Sequence, residues 1–169
     1  MTCIRLALHI HAPPDRVFDL ARSIDFHSVS LAHTGEEAVG GRTSGLIELG
    51  ESVTWRARHF GVRQHLTSRI SAFDRPRYFQ DTMVRGAFAW MVHDHYFDAA
   101  PDGGTVLRDE LRFAAPLGIL GSIAERLVLR RYMTRFLEAR NAVLKRATES
   151  DEWRQFLDGA AAPTGEPQG

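Results

Sequence analysis

Two histidines that are one residue apart, His93 and His95, are the first feature of this sequence that could do chemistry. They lie in Ala87–Ala99, where polar and apolar residues alternate, and side chains two residues apart on a strand share one face. Two imidazoles on one face could bind a metal ion together with a carboxylate such as Asp109, or could form hydrogen bonds to it. A histidine held by a carboxylate can also have its pKa set near neutrality, which suits general acid and base catalysis. We take His93, His95 and Asp109 as candidate catalytic residues and, without a wider ligand set, expect no metal site.

A charged residue in an apolar helical stripe is the second feature. In Leu129–Ala147 the apolar side chains recur with the helical period, and Arg140 projects from the middle of their stripe. An isolated charge is too costly to bury, so Arg140 needs a partner. That partner is either a buried acid or the anionic or carbonyl group of a ligand; alternatively, Arg140 extends past the helix edge to solvent. The candidate acids are Asp81, Glu51 and Asp109.

The elements that must position these residues follow from alternation, turn residues and helix signals. We predict strands at Ile4–Ile10, Ser44–Leu49, Glu51–Phe60, Val62–Phe73, Arg77–Val84, Ala87–Ala99 and Thr105–Ala114. Short helices are predicted at Asp15–Ala21 and, with Ser23 as N-cap, at Ile24–Val29. Residues 30–45 are predicted to be irregular, and His27 and His33 to be surface residues. The apolar residues of 119–128 are out of register with the later stripe, so we expect any gate to lie there.

Composition limits the classes of partner. The 169 residues include 21 basic and 21 acidic side chains, so the formal net charge is zero, and we expect neither nucleic acid nor an anionic membrane as partner. We expect no membrane insertion, because no apolar run approaches spanning length. Cys3 is the only cysteine, so no disulfide framework is expected, and a cytoplasmic location is the default. The oligomeric state, including a homodimer, is left open.

The order of elements resembles the helix-grip fold of the SRPBCC superfamily, which includes START, birch-pollen-allergen-like and polyketide cyclase/dehydrase-like proteins. The similar local motifs are the segment His11–Phe18, the turn Gly103-Gly104-Thr105, Pro116-Leu117-Gly118 before the last helix, and Glu51–Gly61. The last of these resembles a subgroup of small bacterial ligand-binding members. The resemblance implies an α+β fold, in which a seven-stranded curved antiparallel sheet surrounds a long C-terminal helix and a ligand cavity lies between them. It also implies no metal dependence, and we expect no cofactor.

With one sheet face turned to the helix, alternation sorts side chains into cavity and solvent sets. The predicted ligand-binding set is Glu51, Trp55, His59, Gln64, Leu66, Phe79, Asp81, Met83, Met91, Phe97, Leu111, Met133, Phe136 and Arg140. Mostly apolar walls with a few polar groups are typical of small-molecule pockets. We assign residues 1–148 to this domain and 149–169 to a flexible tail, although Trp153, Phe156 and Leu157 could form a docked turn.

Three functions agree with this sequence. The first is a carrier or sensor that binds a small, largely apolar ligand, for example a lipid, isoprenoid, polyketide or aromatic metabolite. The second is a cyclase/dehydrase-type enzyme, in which His93 or His95 moves a proton, Asp109 orients it and Arg140 holds an enolate or carboxylate. The third is a START-type protein-interaction module with a vestigial cavity. An open cavity of several hundred cubic ångströms would favour the first two.

Overall fold

A computed structural model describes residues 1–59, 61–115 and 128–158. Its strands are β1 (Thr2–Ile10), β2 (Glu37–Gly41), β3 (Ser52–His59), β4 (Val62–Asp74), β5 (Tyr78–Arg85), β6 (Trp90–Ala99) and β7 (Thr105–Ala114). Its helices are α1 (Pro14–Ala21), α2 (Ile24–Ser30), α3 (Arg130–Glu149) and α4 (Arg154–Leu157), with a 3₁₀ turn at Ala32–Thr34. All but one of the predicted strands are found within a few residues of their expected bounds.

The strands form one antiparallel sheet in the order β1-β7-β6-β5-β4-β3-β2. Its centre has a regular register in which His93 pairs with Leu111 and His95 pairs with Asp109. On the other side of β6, His93 pairs with Asp81 and His95 with Phe79. Directly paired residues lie on the same face of a sheet, so this register gathers both histidines and both aspartates. The predicted α+β helix-grip fold, with seven strands and a long C-terminal helix, is confirmed.

The second strand was assigned to the wrong segment. Ser44–Leu49 is not a strand; its one sheet-like contact is an isolated bridge between Leu46 and Ser23. The strand lies instead at Glu37–Gly41, within a segment that we expected to be irregular. Its sequence is rich in glycine, and Gly41 runs so close to β3 that a Cβ atom there would lie 2.1 Å from the Ser52 carbonyl oxygen. Glycine permits this approach and at the same time weakens the alternation that reveals a strand.

The long helix α3 lies over the inner face of the sheet and buries Leu137, Leu144 and Ala147 together with Arg140 and Asn141. At the other end of the core, the ring of Phe18 in α1 makes edge contacts with Phe73, Phe79 and Phe97 at 5.1–5.5 Å. Helices α1 and α3 thus close the two sides of one interior. The predicted gate at 119–128 falls, except for Val128, outside the described residues.

The N-cap of α2 and the turn after α3 are both found where the sequence predicts them. The hydroxyl of Ser23 accepts a hydrogen bond from the backbone N–H of Phe26, so the predicted N-cap of α2 is present. The docked turn after α3 is also present: Phe156 contacts Phe26 with ring centroids 5.3 Å apart, and Arg16 lies over the Trp153 ring. Among the helices described, none has the length and hydropathy needed to span a membrane.

Candidate functional site

A cavity of about 340 Å³ lies between the inner face of the sheet and α3. Its walls are mostly apolar, as sites for small molecules usually are. From the predicted set, the residues that line it are Trp55, His59, Gln64, Leu66, Phe79, Asp81, Met91, Leu111, Met133, Phe136 and Arg140. The candidate catalytic residues His93 and His95 line it too. Alternation therefore places most of these side chains correctly, and their role in binding stays a prediction.

Four predicted residues do not line the cavity. Glu51 is wrong as a cavity residue: it precedes β3, is 36% exposed, and contacts Arg42 and the backbone N–H of Glu48. Phe97 is fully buried in the aromatic core around Phe18. Asp109 lies beneath the histidines, and Met83 packs against the apolar cluster around Phe113. Strand alternation gives the face of a side chain and cannot tell whether other side chains cover it.

Sequence reasoning missed several polar residues of the cavity wall, among them His27, Glu36 and Tyr132. His27, predicted to be a surface residue, stacks on Trp55 at 4.1 Å, and its Nε2 lies 3.2 Å from Glu36 Oε1. The sequence does indicate that His27 faces inward, because it is three residues after the apolar Ile24 and lies on the same face of α2. Glu36 Oε2 is buried and has no hydrogen-bond partner among the described residues. The Tyr132 hydroxyl lies 2.6 Å from His59 Nδ1.

Six residues form a buried group at the cavity wall that we call the inner polar cluster: Asp81, His93, His95, Asp109, Arg140 and Asn141. The imidazole rings of His93 and His95 are 3.8 Å apart between centroids and are tilted by 40° to each other. Asp109 Oδ1 is 2.9 Å from His93 Nε2 and 2.8 Å from His95 Nδ1. Asp81 Oδ2 is 3.1 Å from His95 Nε2 and 3.9 Å from His93 Nδ1. The two carboxylates therefore flank the histidine pair.

These contacts give the two histidines different protonation states. Both nitrogens of His95 face a carboxylate oxygen within 3.1 Å, so both carry hydrogen, although Nδ1 is off the line of a straight hydrogen bond. Burial alone lowers the pKa of His95, but Asp109 and Asp81 together outweigh it and raise that pKa. Burial and the charge of His95 lower the pKa of His93, and its hydrogen bond to Asp109 does not compensate. The pKa values of two adjacent imidazoles are thus shifted in opposite directions, and His95 holds a proton more strongly than His93.

The carboxylates of the cluster stay ionised. Burial works to raise the pKa of Asp109, but the hydrogen bonds and charges of His93 and His95 hold that pKa well below its usual range. The pKa of Asp81 is lowered in the same way, against burial, by His95 first and by the charges of His93 and Arg140. Asn141 adds a hydrogen bond from Nδ2 to Asp109 Oδ2 at 2.6 Å. Asp109 thereby links β7 to α3.

Arg140 is 6% exposed and lies at the cavity wall. Its Nη1 is 3.8 Å from Asp109 Oδ1, an ion pair that is too long for a hydrogen bond. Of the predicted partners, the structure thus places Asp109 nearest, and the alternative that Arg140 extends to solvent is wrong. The guanidinium therefore lies in the interior, between α3 and the other residues of the inner polar cluster.

Within the described parts of the chain, two groups of side chains have the composition of a metal site. Asp81, His93 and His95 each offer a ligand atom within 4.8 Å of the others, as do His9, His11 and Asp102 at the surface. In the first group a dication would have to displace the proton of His95 and would meet the positive charge of Arg140. The present geometry favours a network of hydrogen bonds and ion pairs there.

Comparisons with known proteins agree with this architecture. A family model described as "Polyketide cyclase / dehydrase and lipid transport" matches residues 1–149. Among curated proteins, none matches the chain significantly. Similar solved structures include TTHA0849 from Thermus thermophilus, with 19% identity, coverage of 87% of this chain and 97% of that one, and a TM-score of 0.71.

Two further structures show that the fold extends across distant organisms. Ginseng major latex-like protein 151 from Panax ginseng has 13% identity, covers 88% of this chain and 98% of its own, and has a TM-score of 0.66. A START superfamily protein from Mycobacterium smegmatis has 10% identity, coverage of 87% and 97%, and a TM-score of 0.65. At such identities the likeness concerns the fold alone. The family match over residues 1–149, together with this shared fold, places the chain in the polyketide cyclase/dehydrase and lipid-transport family of the SRPBCC superfamily.

Proposed function

We propose that this protein binds a small, largely apolar molecule in the cavity between the sheet and α3, as a carrier or sensor in the cytoplasm. The observation that carries the proposal is the cavity itself. Its volume of about 340 Å³ is within the range of small-molecule sites, and its wall combines apolar side chains with one polar cluster. The family and the neighbouring folds are consistent with hydrophobic ligands. The ligand class covers lipids, isoprenoids, polyketides and aromatic metabolites.

The direct test is to isolate the protein from its own host under mild conditions and to analyse it by native mass spectrometry and organic extraction. A mass adduct that dissociates on unfolding, and a matching extracted compound, are expected. The variant Ala57→Phe places a ring in the cavity, where Ala57 is part of the wall, and should reduce the adduct. Val84→Phe adds the same ring at an exposed position and serves as the control. An equal adduct in both variants would contradict binding in this cavity.

A second candidate function is acid and base catalysis of the cyclase/dehydrase type, and one observation favours it. His93 and His95 both line the cavity and differ in protonation, so a base and an acid are adjacent. In the dehydration of a β-hydroxy ketone, His93 Nδ1 would take the α-proton, the C–H electron pair would form the double bond, and His95 would protonate the departing hydroxyl as water. Asp109 would orient both rings.

This second function is tested by following absorbance of the conjugated product formed from a β-hydroxy ketone. If His93 is the general base, the wild type should turn over this compound. The rate should fall at least about 100-fold in His93→Gln. Binding of the same compound without turnover would leave the carrier function alone. The cavity gives no support to the third alternative, a protein-interaction module with a filled interior.

A further inference from the structure

Arg140 has hydrogen-bond donors that none of the described residues accepts. The guanidinium offers five N–H groups. Across residues 1–59, 61–115 and 128–158, none of them donates a hydrogen bond to another residue, and the nearest carboxylate oxygen is 3.8 Å away. Unlike His95 Nδ1 and Asn141 Oδ1, which are fully buried and have no hydrogen-bond partner among the described residues, the guanidinium nitrogens keep some accessible surface, which faces the cavity. Because Arg140 lines the cavity, a molecule in the cavity can accept these hydrogen bonds.

The charges around Arg140 decide what kind of acceptor this is. Asp81 and Asp109 contribute two negative charges to the inner polar cluster. Arg140 contributes one positive charge, and His95 contributes the other because a carboxylate oxygen lies beside each of its nitrogens. His93, with only one nitrogen within hydrogen-bond distance of a carboxylate, needs a single proton and is neutral. The cluster is therefore balanced before any ligand enters.

An anionic ligand would disturb this balance. A carboxylate placed against Arg140 would leave a net negative charge in a buried site, unless His93 also took up a proton. A carbonyl oxygen accepts the same hydrogen bonds and brings no charge. The flanking Met133, Phe136 and Leu137 provide apolar contacts for the remainder of such a molecule.

We propose that the ligand is a neutral, largely apolar compound whose carbonyl oxygen accepts hydrogen bonds from Arg140. The inference rests on the proposed function, since it names the class of molecule that the same cavity binds. It assigns the selectivity for carbonyl compounds to one residue of α3.

Three probes with one skeleton test the inference: 2-ethylnaphthalene, 2-acetylnaphthalene and 2-naphthoate. Their affinities for the wild type and for Arg140→Met are measured at pH 7 by fluorescence titration. In the wild type the ketone should bind tighter than both the hydrocarbon and the carboxylate. The preference for ketone over hydrocarbon should fall about 10-fold in Arg140→Met, because a hydrogen bond to a charged donor is lost. Arg135→Met removes an exposed arginine of the same helix and should leave the preference unchanged.

The possible outcomes separate the two proposals. If the hydrocarbon binds but the ketone has no Arg140-dependent advantage, the inference is wrong while the apolar cavity function stands. If the wild type binds 2-naphthoate more tightly than the ketone, the proposal of a neutral ligand is wrong, whatever the variants show. If none of the three probes binds, the cavity does not accept an apolar bicyclic molecule, and both proposals fail. Arg140→Lys keeps a cation and should retain part of the preference if Arg140→Met does not fold.

Discussion

Strand β6 carries buried polar residues on both faces, and the two faces differ in how their hydrogen bonds are satisfied. On the inner face, His93 and His95 belong to the inner polar cluster. On the outer face, between them in sequence, Asp94 is 3% exposed and forms an outer polar cluster with Tyr78, Gln80 and Arg112. Its Oδ1 accepts hydrogen bonds from the Tyr78 hydroxyl at 2.6 Å and Gln80 Nε2 at 2.7 Å, and its Oδ2 accepts one from Arg112 Nη2 at 2.7 Å.

The contrast separates a structural role from a binding role. The Asp94 carboxylate is saturated by its neighbours, which hold its pKa below the usual range although burial works to raise it. The inner cluster is balanced in charge, but the Arg140 donors at the wall of the cavity form no hydrogen bond with any residue that the structure describes. In the outer cluster, Arg112 Nε also has no hydrogen-bond partner among the described residues, but no cavity lies beside it in the way that one lies beside Arg140. Substitutions on the two faces should therefore have different consequences.

The largest effect is expected for Asp109→Ala. This change removes the counter-charge of His95 and Arg140 in the interior, together with the hydrogen bonds from His93 and Asn141. The free energy of unfolding should fall by about 4 kcal/mol, as for other broken buried ion pairs. Urea denaturation measures it. A loss below about 1 kcal/mol would mean that the inner cluster does not depend on this carboxylate.

A smaller loss of stability, about 2 kcal/mol, is expected for Asp94→Ala, because its donors can partly turn to solvent. The affinity for 2-acetylnaphthalene should stay within about 3-fold of the wild type, since an unaffected cavity changes by well under 1.4 kcal/mol. The control is Asp98→Ala, which removes an exposed ion pair with Arg108 and should cost about 0.5 kcal/mol or less. A large change in affinity on substitution of Asp94 would remove the distinction between the two faces.

The dependence of stability on pH should have a maximum that the two histidines set from opposite sides. The folded-state pKa of His95 is raised, so its stabilisation is complete below about pH 6.5 and is lost as pH rises through the raised pKa. The folded-state pKa of His93 is lowered, so stability falls as pH drops from about 6.5 through the lowered pKa. Thermal denaturation between pH 5 and 9 measures both limbs.

Single substitutions identify which histidine controls each limb. His95→Gln should remove the decline on the alkaline side, and His93→Gln should remove the histidine contribution to the decline on the acid side. If the acid and alkaline declines in stability are unchanged in both variants, the histidines have the same pKa values in the folded and unfolded chains.

The smallest effect on stability is expected for Arg140→Met, less than about 1 kcal/mol, because the lost ion pair with Asp109 is long, at 3.8 Å, and His93 can take up a proton to restore the charge balance of the inner polar cluster. Asp109 would keep the hydrogen bonds from His93 and Asn141. The same variant should show the largest change in ligand selectivity. Urea denaturation of the unliganded protein checks the first expectation. A destabilisation as large as that of Asp94→Ala would make Arg140 a structural counter-ion instead.

The fold was accessible from sequence because its strands alternate regularly and its turns are marked by glycine, aspartate and proline. The pairing of the histidines with Asp81 and Asp109 follows from the same alternation once the strands are neighbours. Edge strand β2 was misplaced, because glycines remove alternation where the backbone approaches β3 closely. Glu36 was missed, because the segment that carries it reaches the cavity only through tertiary packing, whereas the helical spacing between His27 and Ile24 did indicate a buried face. The opposite protonation of two adjacent histidines depends on interatomic distances, which a sequence does not contain.

The hydrogen bond between Asn141 and Asp109 has a mechanical consequence for the residue next to it. It ties the α3 backbone to β7 one residue after Arg140, whereas the Arg140 side chain itself is held only by a longer contact of 3.8 Å. The guanidinium can therefore turn toward a ligand through its own side-chain torsions while the helix stays in place. Binding of the proposed carbonyl ligand would then need no displacement of α3, and the entropy lost would be confined largely to one side chain and the ligand.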